Sequence, residues 1–200
     1  VLLLSLIPNA LRADSAEKDI QEAFQKYKNA LLAQNGAEAW KTVDAATQSY
    51  YENAVRTARY SNKTELDKLD LMTKFIVLRI RNEFHANELN AMDGQKLFEI
   101  GVNNGWIGKD GASKAALTTI EVKGDSAQTF ADKDKKIPLL RFSKNSDGWK
   151  VAITSLNSLA NSAIEQRIKE SGKSTDETLV AMLNSVSDHV DMKIFDGPLS

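Results

Sequence analysis

Asp44 is the carboxylate whose sequence surroundings offer the most chemistry. It lies on a helical stretch with Trp40 and Val43. A carboxylate drawn into an apolar cavity has a raised pKa and can accept a proton near neutral pH. Tyr50 follows closely and would supply a hydroxyl donor. This pair makes Asp44 and Tyr50 the weak candidates for catalysis. The opposing expectation is an Asp44 solvated on the outer face of its helix. Trp40, Tyr50, Tyr51 and Tyr60 form the candidate ligand-binding set. Tyrosine offers an apolar body with one polar handle, which suits a pocket. Aromatics that pack helices give the same pattern.

Other chemistry is weaker. His85 and Glu88 stand three apart, a spacing that puts two ligands on one helix face, but His189 is far along the chain. Two ligands do not hold a metal, and no metal site is expected. The stretch Gly101–Lys109 imitates a phosphate loop. It has Asn103 where the first glycine is needed and Asp110 where Ser or Thr should follow the lysine. It also lacks a preceding strand. No nucleophile elbow or dinucleotide fingerprint occurs, so no cofactor is expected. Asn62-Lys63-Thr64 has the form of a glycosylation sequon. Asp132 and Asp134 read as members of a solvated loop.

Composition narrows the classes. Of 200 residues, 42% are hydrophobic and 26% charged, a globular balance. The 27 acids nearly cancel the 26 Lys and Arg. The basic residues are spread along the chain, which argues against nucleic-acid binding. With no cysteine, disulfides, thiol nucleophiles and Cys-based zinc sites are excluded. Val1–Ile7 reads VLLLSLI and is followed by Pro8, with a small residue at Ala13 and the larger Leu11 two positions before it. Residues 1–13 read as a signal-peptide remnant cleaved after Ala13, or as an apolar N-terminal arm. The expected location is therefore periplasmic or secreted. The apolar run is too short to span a bilayer, and no transmembrane segment is expected.

The elements that must position these residues follow from periodicity. Ile20, Phe24, Tyr27 and Leu31 predict a helix over Glu17–Gln34, capped by Asp14 or Ser15 and stopped by Asn35-Gly36. A second, interrupted helical region covers Ala37–Tyr60. A third helix, capped by Thr64, runs to about Leu89, and a fourth opens at Asp93. Lys109-Asp110-Gly111 reads as a turn. The period then changes to two, which predicts an antiparallel meander across residues 116–155. In it, Trp149, Val151 and Ile153 share the apolar face, shielded by the helix that begins near Thr64. Pro138 marks an edge or a bulge. Helices at Asn157–Lys169 and after Ser174 complete an α+β chain.

This layout resembles the NTF2-like superfamily of cone-shaped α+β domains. The resemblance rests on the N-terminal helices with Phe24, Tyr27 and Trp40, the late meander, and the hairpin Asp147-Gly148-Trp149-Lys150-Val151. It covers roughly residues 15–156, and it implies a bacterial envelope member of unknown function. It also implies a curved antiparallel sheet that wraps N-terminal helices, a cavity, and a homodimer across the sheet. The domain is then placed at 14–156, with residues 157–200 as a C-terminal helical extension. Isomerase-like relatives use a carboxylate base and a tyrosine donor in the cone. Here Asp44 and Tyr50 fall in helical sequence, not on sheet positions. The expected function is thus a non-catalytic domain that binds a small apolar ligand or an envelope partner protein. The alternatives are an isomerase- or dehydratase-like enzyme using Asp44 and Tyr50, and a structural or assembly role without a pocket.

Overall fold

The computed structural model describes residues 9–114, 116–130, 134, 137–187 and 189–199. The Val1–Ile7 stretch and Asp132 lie outside the described residues. The chain forms two compact units, each assembled from two separate stretches. The first takes the described part of Val1–Thr47 with Phe98–Ser155, and the second takes Gln48–Leu97 with the described part of Leu156–Ser200.

The first unit holds helices α1 (Asn9–Leu32), α2 (Gly36–Thr42) and α8 (Lys109–Lys114), and the end of α7 (Gly94–Asn103). It also holds strands β1 (Thr119–Lys123), β2 (Ser126–Phe130), β3 (Pro138–Asn145) and β4 (Gly148–Ala152). The strands pair antiparallel in chain order, β1-β2-β3-β4. The expected meander is present. The ladder shifts register between Gln128 and Phe130, opposite Pro138, where the missing N–H calls for a bulge. Leu140, Phe142, Trp149 and Val151 are buried. Ile153 is not on that face, because the strand stops at Ala152 and a 3-10 turn, Ile153–Leu156, takes over.

The NTF2-like expectation is corrected by this sheet. It is an open sequential meander, neither closed nor curled into a cone. The helix that packs on β1 and β4 is α1, not the one beginning near Thr64. Its inner stripe, Ile20, Phe24, Tyr27 and Leu31, is buried as its spacing demands. The helix passes through Asp14 and Ser15 without capping there, and starts no later than Asn9.

Two local details differ from the expected stop after α1. Gln34 itself takes the left-handed conformation (φ 50°). Gly36 instead opens α2, where an added Cβ would lie 2.4 Å from the Glu99 backbone. That glycine is needed for close helix approach, not for a turn. The interruption after α2 is Val43-Asp44. Val43 is extended and bridges Val151 in parallel, and the Asp44 N–H donates to the Val151 carbonyl at 3.0 Å. These two residues lie along the outer edge of β4 and join it to α3 (Ala45–Tyr60).

The second unit is helical: most of α3, then α4 (Lys63–Leu66), α5 (Leu71–Glu83), α6 (Ala86–Asn90), the start of α7, α9 (Asn157–Ser171) and α10 (Thr175–Asn184). The single long helix expected from Thr64 is three short ones. Asn62, not Thr64, caps α4, with Glu65 completing the capping box, and Asp70 caps α5 by accepting the Thr73 N–H. In α5, Val77, Leu78 and Ile80 are buried, and the helix packs on α9, α10 and the 3-10 turn Met192–Phe195. Lys109-Asp110-Gly111, expected as a turn, starts α8 in the first unit.

Candidate functional site

The first unit carries an open groove of about 660 Å3. One wall is α1, whose residues Asp19, Glu22, Ala23, Lys26, Asn29 and Ala30 repeat at helical spacing and so share a face, continued by Ala33 just past the helix end. Three of these are alanines, and their short side chains leave the space. The second wall is α2 with its leading Asn35, contributing Glu38, Lys41 and Thr42. The third is the β3–β4 hairpin, contributing Lys144, Asp147, Trp149 and Lys150.

The hairpin wall is held by identifiable contacts. The loop Ser146-Asp147 is closed by the Asn145–Gly148 pair, and Gly148 takes φ 104°, a conformation open to glycine. The Asn145 side chain accepts the Asp147 N–H at 2.9 Å. Lys150 reaches across to α2 and donates from Nζ to the Lys41 carbonyl at 2.7 Å, one of the unpaired acceptors at a helix end. Lys41 in turn pairs with Glu38 at 2.7 Å, an exposed bridge. The Lys144 Nζ lies 5.8 Å from the Trp149 ring centre, within cation–π range. Trp149 itself is 7% exposed, and its indole N–H has no acceptor among the described residues.

The residues singled out in the sequence have other positions. Asp44 is buried at 7% exposure, not solvated. Its Oδ1 accepts the Thr47 N–H at 2.8 Å, so it caps α3, and its Oδ2 takes a long 3.5 Å contact from the Ser143 hydroxyl. Trp40 is half-buried and packs on Phe98, with ring centres 5.4 Å apart. Tyr50, Tyr51 and Tyr60 belong to the second unit. The Tyr50 hydroxyl shares a 3.2 Å hydrogen bond with the Thr73 hydroxyl, and burial raises its pKa against the opposing effect of that bond. Tyr51 is buried edge-on to Tyr50. Tyr60 is 73% exposed at the end of α3. Thus Asp44 and Tyr50 are each engaged within their own unit.

His85 and Glu88 also receive a structural explanation. Glu88 turns back and accepts the His85 backbone N–H at 2.9 Å, which secures the start of α6. Among the described residues, no three His, Asp or Glu side chains gather to hold a metal. No helix among them is long and apolar enough to cross a membrane.

No protein-family model, curated protein or solved structure matches this chain. The assignment to an NTF2-like envelope family is therefore withdrawn, on this finding and on the open sheet. The hairpin Asp147-Gly148-Trp149-Lys150-Val151 carried that resemblance. Its turn and alternation meet the needs of any two-residue hairpin over a core, so they do not specify a family.

Two further clusters were missed in the sequence. Arg81 is fully buried, and the Asp196 carboxylate favours its charge without a direct bond. Its guanidinium donates to the carbonyls of Ala58 (2.8 Å), Ile194 (2.9 Å) and Ser61, and more weakly to Thr57 (3.4 Å). Lys74 is 4% exposed and donates to Asp67 Oδ1 (2.6 Å) and Asp176 Oδ1 (2.7 Å). Lys63 joins Asp176 from the surface, and the Phe195 ring lies 4.9 Å from Lys63 Nζ and 5.7 Å from Lys74 Nζ. Burial works to raise the Asp176 carboxyl, but hydrogen bonds from Lys63 and Lys74 outweigh it and hold the group below its usual range. The available signal was the occurrence of Lys74, Arg79 and Arg81 inside the apolar run Leu71–Ile80 and just beyond it. Cations on a helix buried over a wide arc need partners inside.

Proposed function

We propose that this chain is a non-catalytic binding domain, and that the groove between α1, α2 and the β3–β4 hairpin receives a segment of a partner protein. One observation carries the reading: about 660 Å3 of open space, walled by Lys, Asp, Glu and Asn side chains around a nearly buried tryptophan. Polar walls favour a protein segment over a small apolar ligand. The catalytic alternative loses its parts, because Asp44 serves as a helix cap and Tyr50 is committed to Thr73. Export to the periplasm or beyond belongs to the same proposal. Its support is the apolar Val1–Ile7 stretch followed by Pro8.

Amide NMR spectra recorded against a library of short peptides test the groove. Shifts should gather at Lys26, Asn29, Lys41, Lys144 and Lys150. Asn29 is exposed, so Asn29→Trp fills the groove without touching the core and should abolish those shifts. Shifts gathered elsewhere, no shifts with any peptide, or shifts that survive Asn29→Trp would each overturn the assignment.

A further inference from the structure

Among the described residues that line the groove, Trp149 alone has a buried side-chain polar atom with no hydrogen-bond partner, its indole N–H. The ring is 7% exposed. A tryptophan so enclosed ordinarily finds an acceptor for this group. Its own side of the sheet offers none, because the neighbours there, Ala127, Phe142 and Val151, carry apolar side chains. The side that remains is the groove. A Cβ built on the adjacent Gly148 would meet nothing within 4 Å, so there is free space beside the chain at this corner. Lys144 stands opposite Trp149 in the β3–β4 register and therefore shares its side of the sheet. It is exposed, and its Nζ lies 5.8 Å from the ring centre. With a long flexible stem, it is the neighbour best able to make way.

We infer that Trp149 anchors the bound segment, its indole N–H donating to a backbone carbonyl oxygen of that segment while Lys144 swings off the ring to admit it. This rests on the groove being the binding face, as proposed above. An extended segment presents carbonyls along both of its edges, so one meets the N–H whatever its side chains are. The contact fixes where the main chain lies and leaves sequence preference to the other walls. Tryptophan is enriched among the few residues that dominate binding, and side-chain rotation on binding is common. A donor that waits without an acceptor in the free chain gives up no hydrogen bond to water when the segment arrives, so the new bond is worth about fivefold or more in affinity.

The test titrates the isotope-labelled full chain with N,N-dimethylacetamide, a carbonyl acceptor that has no N–H or O–H to donate, and follows the indole protons by NMR. Trp40, Trp106 and Trp149 give separate indole signals, and Trp149→Phe identifies the third. The Trp149 proton should move downfield and saturate, while the other two drift less. N,N-dimethylthioacetamide, of nearly the same shape but a weaker acceptor, should need about fivefold more for the same shift. Lys144→Ala should bring the response to lower concentration, and an unchanged response would remove Lys144 from the proposal. The signal of the unmutated chain reads the bond directly, so the outcome does not hang on any variant folding. A Trp149 proton that only follows the other two, or responds equally to both probes, overturns the anchor. So does cross-relaxation in the free chain between that proton and a long-lived water, which would then be its acceptor. If library peptides shift the groove amides but leave the Trp149 proton unmoved, the anchor fails and the groove assignment stands. If neither the groove amides nor that proton moves with any peptide, both fail.

Discussion

In the sheet-bearing unit, the inner positions of α1 and the strands are filled by Ile20, Phe24, Phe142 and Val151, and polar groups there are few. In the helical unit, two long cations, Arg81 and Lys74, lie among Val77, Leu78, Leu179 and Ile194. The first kind of core is non-directional and tolerates a change of shape if volume is kept. The second is directional. Arg81 satisfies acceptors at the C-terminal end of α3, where carbonyls have no helical partner, and ties the Ile194 carbonyl to the same group. It thereby connects parts of the chain that lie far apart in sequence. The contrast shows that similar burial can rest on area in one place and on a few hydrogen bonds in another.

The largest test of this contrast is Arg81→Met set beside Phe142→Leu. Arg81→Met keeps apolar bulk but strands buried carbonyls, and should destabilise by about 3–5 kcal/mol. Phe142→Leu should cost no more than about 1.5 kcal/mol. Urea unfolding followed by probes in each unit measures both, and similar costs would erase the distinction. Next in size is the replacement of the Asp44 cap. Asp44→Ala should cost about 1 kcal/mol, while Asp44→Asn, which keeps the acceptor, should cost a few tenths. A large loss with Asn would mean that the charge, not the cap, matters at this position.

The smallest effect is on acid stability. Asp176 and Asp70 both titrate below their ordinary range in the fold. Burial opposes this in each, and hydrogen bonds outweigh it: from Lys63 and Lys74 for Asp176, and from Thr73, Asn161 and the Met72 N–H for Asp70. A depressed folded pKa means the unfolded chain binds protons first. The stabilisation is thus complete above the unfolded value of about 4 and lost as pH falls through the folded value. Stability of the helical unit should be level from about pH 7 to 5 and decline below about pH 4. Asp176→Asn should flatten that decline. An unchanged acid limb would deny the lysine pair its role.

What could be read in the sequence divides along the same line. Periodicity located α1, the four strands and their turns, because apolar burial repeats with the backbone. Ser174 or Thr175 was the expected cap of the last helix, and Ser174 takes that place, with Glu177 closing the capping box. The break of the long helix at Asp67–Asp70 was missed because the apolar period continues across it. The single-helix reading also hid the meaning of Lys74 and Arg81, whose partners come from α3, α10 and the chain end. The groove was not legible either. Its alanines look like ordinary helix formers, and its charges look like a solvated face until α2 and the hairpin are set beside them. Asp44 attracted attention as a chemical group, yet its carboxylate is engaged by the Thr47 N–H and the Ser143 hydroxyl.

That each unit draws on two distant stretches has a consequence for synthesis. As the chain leaves the ribosome, α1 and α2 emerge long before β4, the strand they pack against. The middle helices wait about as long, until the turn Met192–Phe195 is made. Each unit keeps apolar faces uncovered until its second stretch emerges, a period in which nascent chains are prone to clump and to recruit chaperones.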